Sequence, residues 1–216
     1  MCFAAPMDLG AGLVVTGIGV ASLRVARSSP RSRALATLPL LFGVHQLVET
    51  FVWWDLEGRV CHAAGLTAEW IYLVIALLVV PILVPYALLR EGSVRPPWLA
   101  WSFVACGVVA AATCAWGLRD GEVPMRIDGH HIAYTVSPLL GDTSFVIYLV
   151  ATCGPGLLAR SRWLCLFAVL NLAGVAVVIW AARNGTVSLW CFWAALISVL
   201  IYLHLRSEDR SVHSGP

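Results

Sequence analysis

Long apolar runs separated by short polar links dominate the chain. A helix needs roughly 17–25 mostly apolar residues to cross a bilayer. Seven runs qualify: Leu9–Val25, Ala34–Trp54, Glu69–Leu89, Pro97–Leu118, Gly141–Ala159, Trp163–Ala182 and Val187–Leu205. Links such as "RSSPRSR", "REGSVRPP", "ARSR" and "RNG" supply the Pro, Gly and Ser that interrupt helices. The pattern predicts an all-α polytopic membrane protein, a bundle of seven transmembrane helices in one domain over residues 1–206. Residues 207–216 read as a polar, disordered cytoplasmic tail. The longest link, "RDGEVPMRIDGHHIAYTVSP", alternates from Val123 to Val136 around Asp128–Gly129. That is the pattern of a short hairpin lid, although a solvated loop fits the same residues.

One run departs from lipid-compatible composition. In "LLFGVHQLVETFVWWDLEG", residues 41–59, spacings of three and four put Phe42, His45, Gln46, Glu49 and Trp53 on one helical face. Glu49 is the only carboxylate well inside a predicted run. An ionised side chain facing lipid costs at least about 2.5 kcal/mol, so this face should look into the bundle or a wet cavity. Desolvation disfavours the charged form and leaves a neutral acid able to donate a proton. The competing reading is an interhelical hydrogen bond from His45 or Gln46 to Glu49 that only fixes packing. Asp142, opening the fifth run in "LLGDTSFVIYL", either caps that helix with Thr143 and Ser144 or brings a second carboxyl towards Glu49.

Composition sharpens the class. Sixty per cent hydrophobic residues and a mean hydropathy of +0.84 lie outside the range of soluble domains. All fourteen basic residues are Arg, and a net charge of +2 leaves no basic field for nucleic acid. Arg24, Arg27, Arg31, Arg33, Arg90, Arg95, Arg160, Arg162, Arg206 and Arg210 fall on one side of the predicted topology. The other side holds Arg59, Arg119, Arg126 and Arg183, with Asp8, Asp55, Glu57, Glu69, Asp120, Glu122 and Asp128. The positive-inside rule then puts the N-terminus outside and the C-terminus in the cytoplasm. The seven cysteines show no zinc-type spacing, and most read as small apolar residues. The start, "MCFAAPMD", lacks the basic n-region of a cleavable signal.

Seven of the ten tryptophans fall in the outer half: Trp53, Trp54, Trp70, Trp116, Trp180, Trp190 and Trp193. That excess suggests an aromatic pocket above the acid, with π-faces able to stabilise positive charge. Tyr134 and Phe145 join Trp53, Trp180, Trp190, Trp193 and Gln46 as candidate substrate-binding residues, with Glu49, Asp142 and His45 as the catalytic candidates. A metal site is the competing chemistry, since His45 and Glu49 have i, i+4 spacing and His130, His131 and Cys2 could join them. No HExxH or compact ligand set appears, so the expectation is of no metal and no cofactor.

Four stretches in fixed order, "MCFAA", "LPLLFGVHQLVETFVWW", "VVPILVP" and "SLWCFWAALIS", resemble a family of small, largely uncharacterised bacterial seven-span membrane proteins. That family's pattern runs MCFSA, QQLVEG–W, WP–P and S-W-C-F-AA. The resemblance covers nearly the whole chain and carries Glu49 over; Ala4, His45 and Thr50 depart from it. It implies a multi-pass protein of a bacterial inner membrane. More loosely, the small, aromatic-rich, multi-span architecture with buried carboxyls is similar to the membrane-bound terpene cyclases of meroterpenoid and indole-sesquiterpene biosynthesis. That similarity implies protonation of a lipophilic prenylated substrate, taken from the bilayer, and ring closure through carbocations. No DDxxD diphosphate site is present, which suits protonation over ionisation. A metal-dependent membrane hydrolase and a non-enzymatic sensor or carrier are the alternatives.

Overall fold

The computed structural model describes residues 5–119, 121 and 123–213; Cys2, Asp120 and Glu122 lie outside them. The described chain is all-α apart from one hairpin. Its helices are α1 (Ala5–Val25), α2 (Arg33–Leu56), α3 (His62–Val74), α4 (Val80–Glu91), α5 (Pro97–Leu118), α6 (Asp142–Leu157), α7 (Arg162–Ala182), α8 (Thr186–Ile197) and α9 (Val199–His213). A π-helical segment, Ile75–Val79, joins α3 to α4 as one rod, and α8 runs into α9 through Ser198. Six helical stretches among the described residues are long and apolar enough to cross a membrane. The protein is a membrane protein. The remaining predicted run, the fifth, is α6, whose 16 residues give a helix of about 24 Å. It falls short of the length that the other stretches reach. The tail expected to be disordered continues as helix to His213.

Small residues set how closely the first two helices pack. On α1 the buried positions are Ala5, Asp8, Gly12, Val15, Gly19 and Ser22, alternating by three and four. Gly19 lies against the Leu40 backbone, Gly43 of α2 lies against Thr16, and Gly12 meets Leu47. The helices are therefore antiparallel and almost in backbone contact. In lipid, where apolar side chains gain little by leaving the bilayer, such close approach is a main source of helix association.

The π segment leaves one carbonyl for another helix to satisfy. In that register a carbonyl seeks the N–H five residues on. For Ala76 that residue is Pro81, which has none. The Tyr148 hydroxyl of α6 instead donates to the Ala76 carbonyl at 2.6 Å. Gly107 of α5 sits against the Pro81 carbonyl, where no side chain would fit. Tyr148→Phe should leave the Ala76 carbonyl unpaired and cost about 1–2 kcal/mol, read as a lowered Tm in detergent.

Contacts define two ends of the bundle. At one, His204 of α9 pairs with Glu91 of α4 at 3.1 Å, and the Arg160 N–H donates to the Ser93 carbonyl. At the other lies the predicted hairpin: β1 (Met125–Asp128) pairs antiparallel with β2 (His131–Tyr134), Asp128 opposite His131. Gly129 takes the first turn position with φ +61°, a conformation that Gly adopts without strain. Ile132, Ala133 and Tyr134 are buried, and His131 packs on Gly185. The hairpin thus closes over the bundle end where Val52, Trp53, Tyr72 and Leu73 form a core of their own.

Candidate functional site

The five predicted positions on α2, namely Phe42, His45, Gln46, Glu49 and Trp53, are all buried. The polar stripe faces the bundle, as lipid requires. Glu49 is 0% exposed, and neither of its oxygens has a hydrogen-bond partner among the described residues. The same holds for both amide atoms of Gln46 and for the Tyr72 hydroxyl. The Asp8 carboxyl and the Ser188 and Tyr72 hydroxyls are neighbours of Glu49, close enough to interact yet outside hydrogen-bond geometry. A packing hydrogen bond from His45 or Gln46 to Glu49 does not form. His45 turns away, its Nε2–H donating to the Tyr72 carbonyl at 3.1 Å. Its ring stacks on that of Tyr72 with centroids 4.0 Å apart.

The second carboxyl comes from a different helix than expected. Asp142 is the first residue of α6, with Gly141 in the cap position, and is exposed. Gly141, not Asp142, is the cap residue, and Asp142 is not among the groups that act on Glu49. Asp8 does join, from α1: it is 5% exposed and accepts a 2.6 Å hydrogen bond from the Trp53 indole. The sequence placed Asp8 in solvent because it lies before the first apolar run. The available signal was its spacing from Gly12 and Gly19, which puts it on the helix face that packs closely. Trp53→Phe should cost about 1–2 kcal/mol by stranding the Asp8 carboxyl. In an Asp8→Asn background the loss should be smaller, because a neutral amide is less costly to strand. Thermal unfolding of the four proteins in the cycle gives the comparison.

Tyr72 in turn stacks on Tyr134 of β2, with centroids 5.1 Å apart. His45, Tyr72 and Tyr134 therefore form a continuous ring stack from α2 to the hairpin. Burial above all, with the nearby Glu49 charge next, pushes the Tyr134 phenol well above its ordinary range. It stays protonated, and its hydroxyl too lacks a partner among the described residues.

Tyr134 also lines a cavity of about 560 Å³ between the hairpin, α5, α6 and α8. Small-molecule pockets commonly run from about 300 to 1,000 Å³. Its aromatic walls are Tyr134, Phe145, Tyr148 and Trp190, and Asp142, Ser144 and Cys191 also line it. Trp190 is held rigidly. Its indole donates to Asn171 at 3.2 Å, and its ring meets the rings of Tyr148 and Phe145 edge-on. A void of about 30 Å³ behind Trp190 and Cys191, reaching His45, is large enough for one water.

The predicted tryptophan pocket needs correction. Trp190 lines the cavity, but Trp53 serves Asp8 instead. Trp193 donates to the Leu170 carbonyl against Gly174, and Trp180 is 88% exposed on the outer face of α7. Indole rings are amphipathic enough to suit either the core or the membrane boundary, so their number alone did not locate a cavity. Tyr72 and Tyr148 were missed. The signal for Tyr148 was its position one turn from Ser144 and Thr152, on the polar face of α6. Among the described residues no three His, Cys, Asp or Glu side chains gather as a metal site. His130 is exposed on the hairpin turn and His131 packs on Gly185, and Cys2 lies outside the described residues.

Compared with known proteins, the sequence model of a family of unknown function, DUF6629, matches residues 1–215. No curated protein and no solved structure matches the chain.

Proposed function

The chain belongs to the DUF6629 family, and we propose that it is a membrane-bound terpene cyclase that protonates a lipophilic prenylated substrate. One observation carries this reading: an aromatic-walled cavity of about 560 Å³ is lined by Tyr134 and Cys191, and a buried, unpaired carboxyl, Glu49, lies within electrostatic reach of both. Protonation-initiated cyclisation needs a desolvated acid, a water-poor chamber and π-faces along the path of the cation. Glu49 is the acid. Tyr134 stands between it and the cavity. Glu49 supplies the proton that the substrate alkene takes up. The alkene π electrons form the new C–H bond and leave a tertiary cation. The next π bond of the chain attacks that cation and closes a ring. Loss of a proton from the final cation ends the reaction and restores the acid, so the product is an isomer of the substrate. Phe145, Tyr148 and Trp190 shield the cation, and Asp142 at the cavity is a second acid.

The proposed topology has seven spans, an outside N-terminus and a cytoplasmic C-terminus, in a bacterial inner membrane. The Arg distribution supports it, because Arg90, Arg95, Arg160, Arg162 and Arg206 cluster near the Glu91–His204 and Ser93–Arg160 contacts. The sixteen-residue α6 starts beside the hairpin and ends near Ser93, so it too connects the two ends.

The test incubates membranes carrying the protein with prenylated indoles, quinones and phenols and looks for new isomers of unchanged mass. Product patterns equal to those of empty membranes across the panel would overturn the reading. The Asp8–Glu49 pair would then stand as the protonation switch of a non-enzymatic sensor or carrier. Trp190→Ala should hold substrate consumption within about tenfold while redistributing products, since one cation–π contact contributes about 1–2 kcal/mol. Chromatography of the product mixture reads this directly.

A further inference from the structure

The cavity beside Glu49 does not end at Tyr134. A second cavity of about 320 Å³ lies on the other side of β2, and Tyr134, Val136, Thr186 and Val187 line both. The two chambers differ in chemistry. The inner one is walled by aromatic and aliphatic side chains such as Leu77, Phe145, Tyr148 and Trp190, while the outer adds Arg126, Thr135 and Asn184. Two hydroxyls that line the inner chamber, that of Tyr134 and that of the buried Ser144, have no partner among the described residues. Buried polar atoms left so usually meet a bound polar group. Val146 of α6 and Ile179 of α7 line the inner chamber, yet are 57% and 39% exposed. The chamber therefore opens sideways onto the apolar surface of the bundle.

We propose that the two chambers bind one amphiphile drawn laterally from the bilayer, with its hydrocarbon chain in the inner chamber and an oxygen-bearing head in the outer one. This rests on the cyclase reading for its chemistry and adds the substrate class and its direction. Arg126, Thr135 and Asn184 can donate hydrogen bonds, so the head is one that accepts them. The inner chamber offers hydroxyls and the Asp142 carboxyl but no cationic donor, so an electron-rich head gains more beside Arg126 in the outer one. The chain end remote from the head is thus the part nearest Cys191 and Trp190, on the Glu49 side. A pure hydrocarbon would leave the polar chamber unfilled, and a headgroup without a chain would leave the apolar one empty.

The test uses two photoprobes built on the same farnesylated phenol, one with a diazirine on the ring and the other with a diazirine at the far chain end. The full chain is reconstituted in nanodiscs of phosphatidylethanolamine and phosphatidylglycerol, illuminated, and mapped by peptide mass spectrometry. The ring probe should label residues within 126–136 or 184–187. The chain-end probe should label residues within 145–148 or 190–191. Both should be competed by unlabelled farnesylated phenol. Arg126→Gln should weaken ring-probe labelling about tenfold, the loss of one charge-assisted hydrogen bond, and leave the mapped residues of the chain-end probe unchanged. Reversed or coincident labelling, or labelling that no competitor reduces, would overturn the proposal. Labelling needs no turnover. The expected map with no isomer from any substrate would therefore sink the cyclase reading alone, and isomers with a reversed map would sink this inference alone.

Discussion

Glu49→Gln is expected to abolish isomer formation, by at least about a hundredfold, while leaving the protein folded. Gln has nearly the shape of the protonated acid but no proton acidic enough to transfer. The fold should tolerate it, because neither oxygen of Glu49 is engaged in a hydrogen bond among the described residues. An amide also avoids the cost of burying a charge. The paired control is Asp142→Asn. Asp142 lines the cavity but is exposed, and its loss should lower the rate by less than about tenfold, far below the effect of removing a general acid. Initial rates in membranes, normalised to folded protein by size-exclusion chromatography, give the comparison. If Asp142→Asn abolished turnover and Glu49→Gln spared it, the acid would be at the cavity rim and the buried pair would be structural.

The largest effect on stability should come from Gly43→Leu. A Cβ at position 43 would collide with the Thr16 backbone nitrogen and hydroxyl. Backbone cannot yield as a flexible side chain can, so α1 and α2 must separate. Overpacking usually costs about 1–3 kcal/mol, and a clash with backbone belongs at the top of that range or beyond. The damage should reach the site without touching it, because the Asp8–Trp53 hydrogen bond spans these two helices. Gly17→Leu is the control: a Cβ there meets nothing within contact distance, and Tm should hold within a degree or two. Thermal unfolding in one detergent separates the two variants. Equal loss in both would mean that close approach at position 43 does not govern this pair.

The difference between those glycines shows where sequence reading reached its end. Both lie in apolar helical runs, and nothing local distinguishes Gly17 from Gly19. Only the position of the neighbouring helix makes one a contact and the other open surface. The same limit separates Asp8 from Asp55. The two carboxyls flank apolar runs, but only Asp8 lies on the stripe that packs against α2, where an indole meets it. The hairpin was legible because its cues are local, with alternation in the strands and a Gly at the turn. The length of the fifth run was misjudged for a local reason too. The predicted run spans Gly141–Ala159, but Gly141, with φ +54°, holds the cap position, and Leu158 and Ala159 follow the last helical residue, Leu157.

The order of residues along the chain is enough to make this a membrane protein of long helices and to turn the Phe42–His45–Gln46–Glu49–Trp53 face away from lipid. Both follow from transfer free energies and helical period, which act on each residue wherever its neighbours lie. The packing of the helices settled what that face meets: Asp8 as the second carboxyl, the Tyr72–Tyr134 ring stack, and a cavity that keeps Tyr134, Phe145 and Trp190 of the expected walls, adds Tyr148 and leaves out Trp53, Trp180 and Trp193. Those are pairings between helices distant in the chain. They depend on the depth and rotation of each helix in the bundle, and glycines at the contacts set these to within a side chain's width.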